Sequence, residues 1–218
     1  MVKTQEAFNC YSHLTGAVAA LIGTIFLLLI ALDSGERIAV ALLYGLSMVF
    51  MFSASALYHA FKKQENELSY WRKMDRLAIF FMIAGSYTPI SYFFMDADWR
   101  LPMIALQWGL VVFGVCSQLF FPRAPRLLYS VIFLIMGWML IFPIRQVVAS
   151  MSEAQLVLLF MGGVAFTVGA VVYGIKKPVL FPGIFGFHEF FHVMVLVGAG
   201  CHFALIYSAF SVASVTLP

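Results

Sequence analysis

A chain of 218 residues that is 63% hydrophobic and only 11% charged is not an ordinary soluble domain. Soluble domains are roughly half apolar and about a quarter charged, and a protein this small has no interior large enough to hide the excess, so lipid must cover part of it. The formal net charge of +3 is too small, and too scattered along the chain, for nucleic-acid binding.

The opening segment MVKTQEAFNCYSH is mixed and polar, and the apolar run after it is longer than the core of a signal peptide, so the first span is expected to be retained. A bilayer core of about 30 Å needs roughly 20 apolar residues as helix. Seven stretches qualify: 13–32, 38–61, 74–95, 101–121, 127–144, 154–175 and 187–210. Short polar or proline-containing links separate them, DSGER, KKQENELSYWRK, DADWR, PRAPR, RQVVASMSE and KKPVLFPGIFG in order. None can hold a soluble domain, and there is no fixed-period repeat. The reading is one all-α, integral membrane, seven-transmembrane-helix bundle forming a single domain, 1–218. Pro89 and Pro143 are expected to kink or end their helices. PVLFPGIFGF, before the last span, is expected to form an interfacial loop capping the site. Cys10, Cys116 and Cys201 cannot all pair within one chain and read as small buried apolar residues.

Lysine and arginine placement sets the orientation. Lys3, Lys62, Lys63, Arg72, Lys73, Arg76, Arg123, Arg126, Lys176 and Lys177 fall on one side, and Arg37, Arg100 and Arg145 on the other. The N-terminus is therefore expected in the cytoplasm and the C-terminus, after seven spans, outside.

All five histidines, His13, His59, His188, His192 and His202, fall in or at the edge of a span, where ionisable groups are costly and mark function by default. The topology brings His13, His59, His188, His192 and Asp75 to one depth at the cytoplasmic face. His188 and His192, four residues apart, share one helix face, the usual geometry for two imidazoles on one metal ion. Ser55 has the same spacing from His59, about one turn deeper. HEFFH at 188–192 formally matches H-E-x-x-H, whose glutamate is a general base. Glu189 points about 100° away from His188, however, and at the membrane edge it is expected to be solvated or salt-bridged. His202, about 15 Å deeper than His192, reads as a buried histidine bonded to a neighbouring helix, with a place on a cavity wall as the alternative. His13 reads as a helix-start or interfacial residue. Plainer roles compete for the others: inter-helix hydrogen bonds for the three histidines, a helix-start acid for Asp75, an intrahelical bond for Ser55.

SALYH at 55–59, Asp75 opening the third span, HEFFH and the later histidine of GAGCHF resemble the hemolysin III family, the bacterial branch of the progestin and adipoQ receptors and similar to alkaline ceramidases. AGSYTPI at 84–90, MGWML at 136–140 and HLTGAVAALIG at 13–23 extend the likeness over nearly the whole chain. The resemblance implies a seven-helix fold in the bacterial cytoplasmic membrane, with zinc held by His59, His188 and His192. It also implies a fourth position for water, held by Asp75 with help from Ser55. Three protein ligands and one open position characterise a catalytic zinc. The expected function is hydrolysis of a lipid amide, ceramide-like, or an ester, in membrane lipid homeostasis, with membrane lipids as the partners. The alternatives are a non-enzymatic sensor or receptor-like protein with a structural zinc, and a cytolytic protein. Spans four to six carry almost no mid-membrane polar residues, which argues against a pore.

Overall fold

The computed structural model describes residues 4–64 and 67–215. Lys3, residues 65–66 of the second link and the tail beyond Val215 lie outside them. The helices are α1 (Thr4–Ile30), α2 (Gly35–Phe61), α3 (Tyr70–Phe94), α4 (Ala97–Phe120), α5 (Arg126–Trp138), α6 (Ile144–Ser150), α7 (Glu153–Ile175) and α8 (Phe187–Val215), with a 3-10 turn at Met139–Ile141. Six are long and apolar enough to cross a membrane, and α5 with α6 makes a seventh if the bent pair is one span. The chain is a multi-span helical bundle and a multi-pass membrane protein.

Polar punctuation starts the helices. Ser34 and Ser69 cap α2 and α3, and Ser152 with Gln155 forms a capping box on α7. Between the caps, α1 shows the pattern of a lipid-covered helix. Leu21, Ile25 and Leu29 are exposed, while Ala17, Ala20, Thr24 and Leu27 are buried against neighbours. Small residues at such interfaces let backbones approach closely. A Cβ on Gly45 would collide with Thr24, and one on Gly85 with Ser47, so α1, α2 and α3 pack at glycine distance. Around them α1 packs on α2 and α8, and α3 on α2, α4, α5 and α8; α7 packs on α8 and on α5.

The fifth span departs from expectation. Instead of one helix over 127–144, α5 stops at Trp138, and the chain turns by 62° into α6, which includes most of the expected link RQVVASMSE. Pro143 sits at the break, where its missing N–H cannot continue a ladder. Backbone groups freed inside a membrane need other partners. Tyr87 of α3 donates to the Gly137 carbonyl at 2.8 Å and accepts from the Leu140 N–H at 3.0 Å, and the buried Gln107 of α4 donates to the Met136 carbonyl at 3.0 Å. Pro89, by contrast, lies within α3, which runs unbroken to Phe94.

The two ends of the bundle separate as the charge count predicts. At one end Glu6 of α1 meets Lys62 after α2, Arg76 of α3 meets Pro122 after α4, and Arg126 of α5 meets Tyr173 of α7 and Phe187 of α8. At the other, Arg37 of α2 meets Asp33 and the Phe210 carbonyl of α8, and Arg100 of α4 lies over Tyr92 of α3.

Candidate metal centre

Two helices bring the three histidines together at the charge-rich end. The last turn of α2 carries His59, and the first turns of α8 carry His188 and His192 on one face. One ring nitrogen from each of the three lies within 4.8 Å of the others, close enough for a single ion to take all three. Ring centroids stand 4.9 Å apart for His59 and His188, 4.9 Å for His59 and His192, and 5.0 Å for His188 and His192.

The surroundings of the rings set which nitrogen is offered. His59 Nδ1 lies 2.7 Å from Glu6 Oε2, and its Nε2 is buried with no hydrogen-bond partner among the described residues. A buried polar atom without a partner costs about 1–3 kcal/mol, and here a metal would satisfy it. The carboxylate behind the ring fixes the tautomer and raises the ring's basicity, the usual outer layer of a histidine metal site. Ser12 does the same for His192. Its hydroxyl donates to the Asn9 carbonyl at 3.1 Å, which leaves its lone pairs for His192 Nδ1, 3.4 Å away. Imidazole donors with second-layer carboxylate and hydroxyl suit zinc among the first-row metals, so the residues present fit the ion that the resemblance implies.

The other expected residues fall around this cluster. Ser55 is buried one turn deeper on α2 and is the side-chain partner of Asp75, which enters from the first half of α3. Both line a cavity of about 430 Å³ that begins at His188 and His192 and runs between α3, α5, α7 and α8. Its walls are mostly apolar, with Met82, Ile83, Phe133, Phe166 and Val195 among them, and its far half is lined by Gly137, Leu140, Ile141 and Ile144 of the broken span. His202 is half-buried, reaches the same cavity and bonds the Leu159 carbonyl of α7 at 3.3 Å, so it joins a neighbouring helix and stands on the cavity wall at once. The loop before α8 packs Phe185 edge-on against Phe8 of α1, while Val179 to Ile184 stay exposed.

The cysteines are not buried as expected, since Cys116 is exposed and Cys10 and Cys201 are half-buried. Two expectations about the site are also corrected. His13 is not interfacial: it is 2% exposed, stacks on His192 with centroids 3.7 Å apart, and lines the cavity. Glu189 is not solvated, and it forms no salt bridge among the described residues. It is 2% exposed and accepts from Asn9 Nδ2 at 2.8 Å, the Gly186 N–H at 2.7 Å and Gln5 Nε2 at 3.3 Å, so it ties α8 to α1 and is spent as a base. Reading the opening segment as a polar lead-in hid Glu6, Asn9 and Ser12. Their spacing, with His13 seven residues after Glu6, marks one buried helix face.

A helical membrane bundle with a histidine trio, two of them buried and His188 half-buried, beside an apolar cavity is the class that fold and site define together. The family model described as "Haemolysin-III related" matches residues 1–203. A Bacillus subtilis (strain 168) protein described as "Hemolysin-3 homolog" is 30% identical over 203 residues, 91% of each chain. The human "Monocyte to macrophage differentiation factor" is 26% identical, over 93% of this chain and 83% of its own. The "ADIPOR-like receptor IZH2" of Saccharomyces cerevisiae is 25% identical, over 90% and 69%. The chain belongs to the Haemolysin-III related family.

Proposed function

We propose that this protein is a zinc-dependent intramembrane hydrolase of a lipid amide or ester, with its charge-rich end in the cytoplasm and its bundle in a bacterial inner membrane. The observation that supports this most is the three-histidine cluster, with its orphaned His59 nitrogen, standing beside Asp75 and Ser55 at one end of an apolar cavity of about 430 Å³. His59, His188 and His192 would hold the ion, and a bound zinc supplies Lewis acidity, polarising a carbonyl and bringing the pKa of water toward about 7. Asp75 takes the proton of the attacking water and passes it to the leaving amine as the C–N bond breaks. Ser55 donates a hydrogen bond to the carbonyl oxygen as charge develops on it. The apolar walls hold the acyl chain and keep the carbonyl at the depth of the cluster.

Elemental analysis and lipid-amide turnover, measured together on purified protein, test the reading. His188→Ala is expected to drop the metal from about one per chain to near none. Asp75→Ala is expected to keep the metal and lose turnover by about 10²–10⁴-fold. Wild-type protein that carries metal yet turns over no lipid amide or ester defeats the hydrolase.

A second reading has its own support: the ligands come from α2 and α8, which both pack on α1, so an ion would tie the two together. In that structural role, metal removal lowers Tm strongly and no lipid is cleaved. The family relatives described as "Hemolysin-3", such as that of Bacillus cereus, bring in a cytolytic reading, which sustained leakage of liposomes by metal-free protein would support.

A further inference from the structure

Beside the histidine cluster lies a second, smaller pocket whose cationic side chains the reaction above does not use. It holds about 30 Å³, room for a couple of water-sized groups such as two oxygens of an anion. Lys62, Arg72, Arg76 and Arg126 line it, with Tyr58, Tyr173 and His188; among the described residues Asp75 is the one acid on its wall. Four cations converging from the ends of α2, α3 and α5 at the edge of an apolar bundle are a costly arrangement.

Two of the four stand out. Lys62 is held by Glu6 at 2.5 Å, and Arg72 reaches the Glu67 carbonyl at 2.9 Å. Arg76 lies over the Tyr129 ring at 5.0 Å and donates from Nη1 to the Pro122 carbonyl at 3.1 Å. Arg126 lies over the rings of Tyr173 at 4.4 Å and Phe187 at 5.4 Å, and its Nη1 is buried with no hydrogen-bond partner among the described residues. Neither Arg76 nor Arg126 pairs with a carboxylate among the described residues. Aromatic faces hold each guanidinium flat and leave its edge for an acceptor, the geometry that matches carboxylate and phosphate oxygens.

The pocket adjoins the cavity across a shared wall. Asp75, Arg76, Arg126, Tyr173 and His188 line both. A molecule lying across that shared wall would have a charged group among the arginines, its chain among the apolar residues, and the bond between them beside His188 and Asp75.

We infer that the smaller pocket is the subsite for a phosphate-type or carboxylate headgroup of a lipid whose chain occupies the apolar cavity, with Arg76 and Arg126 as its binding residues. The lipid as substrate rests on the hydrolase reading; the anion site does not. It narrows the substrate class from a neutral ceramide to an anionic amphiphile.

The test is a binding measurement on the full chain in neutral-detergent micelles, with ether-linked lipids that no amidase or esterase cleaves. Ether-linked phosphatidic acid is expected to bind about tenfold more tightly than the dialkylglycerol with the same chains. Arg126→Gln should remove most of that preference and Arg76→Gln part of it. Arg126→Lys should restore some of it, which a merely misfolded variant would not do. Arg145→Gln, on α6 at the opposite end, should leave it unchanged. Equal binding of the two lipids, or a preference that survives the double Arg76→Gln, Arg126→Gln variant, overturns the subsite. Inorganic phosphate is the third probe. If it binds as tightly as the lipid, the pocket takes a free anion and the lipid assignment is wrong. Failure of turnover with the headgroup preference intact would count against the hydrolase and leave the subsite standing.

Discussion

Both ends of the bundle bury charged side chains, and they differ in how far the chain itself supplies partners. At the end that holds Arg37, the guanidinium is 3% exposed, paired with Asp33, and donates to the Ile30 carbonyl at 3.0 Å and the Phe210 carbonyl at 2.7 Å, so that of its nitrogens Nε is the one left without a partner among the described residues. One side chain there joins the last turn of α1, the start of α2 and the end of α8. At the histidine end, His59 Nε2 and Arg126 Nη1 are buried without partners among the described residues, and a cavity and a polar pocket open beside them. Polar groups whose partners are mostly inside the protein hold a fold together. Polar groups left over at the mouth of a cavity are held for something the chain does not itself supply.

Substitutions that separate the two ends sharpen this contrast. The largest effect is expected from Glu6→Gln, which keeps the shape but removes the carboxylate behind His59. Metal affinity should fall about 10–100-fold while Tm of the metal-free protein barely moves, read by chelator competition and thermal melting. Unchanged affinity would mean that Glu6 serves Lys62 alone. Next in size is Arg37→Met, which fills the space but leaves the Ile30 and Phe210 carbonyls without their donor. Stability should drop by about 1–3 kcal/mol with metal content intact, and a loss of metal instead would show the two ends to be coupled. The smallest is Tyr87→Phe, which strips the Gly137 carbonyl and the Leu140 N–H of one partner at the broken span. A loss of about 1 kcal/mol or somewhat more is expected, with metal again retained. No change would mean that another group takes over at the break.

Much of this was legible from residue order. Apolar run length located every long helix, and α2, α7 and α8 begin within three residues of where hydropathy puts them. Lysine and arginine placement sorted the helix ends into two groups before any contact was known. Hydropathy failed where polarity and burial part company. The segment TQEAFNCYSH is polar enough to read as a lead-in, yet it is the first part of α1, and its Asn9 is 1% exposed. Its partners, Glu189, His59 and His192, come from α2 and α8, at sequence distances that no local window spans. The break after Trp138 was signalled by Pro143, but its repair by Tyr87 and Gln107 was not, because those side chains belong to other helices.

The sequence alone settled the solvent and the periodicity: apolar stretches long enough to span a bilayer must form helices there, since only a helix satisfies its own backbone in lipid. It also put His188 and His192 on one face, because four residues make about one turn. That His13 would stack on His192, that Glu6 would hold His59, and that arginines from α3 and α5 would share a pocket wall with His188 was decided by tertiary packing alone. Those pairings depend on which helices lie side by side and how they are rotated, and glycine-close contacts such as Gly45 on Thr24 set that, not the order of residues along any one helix.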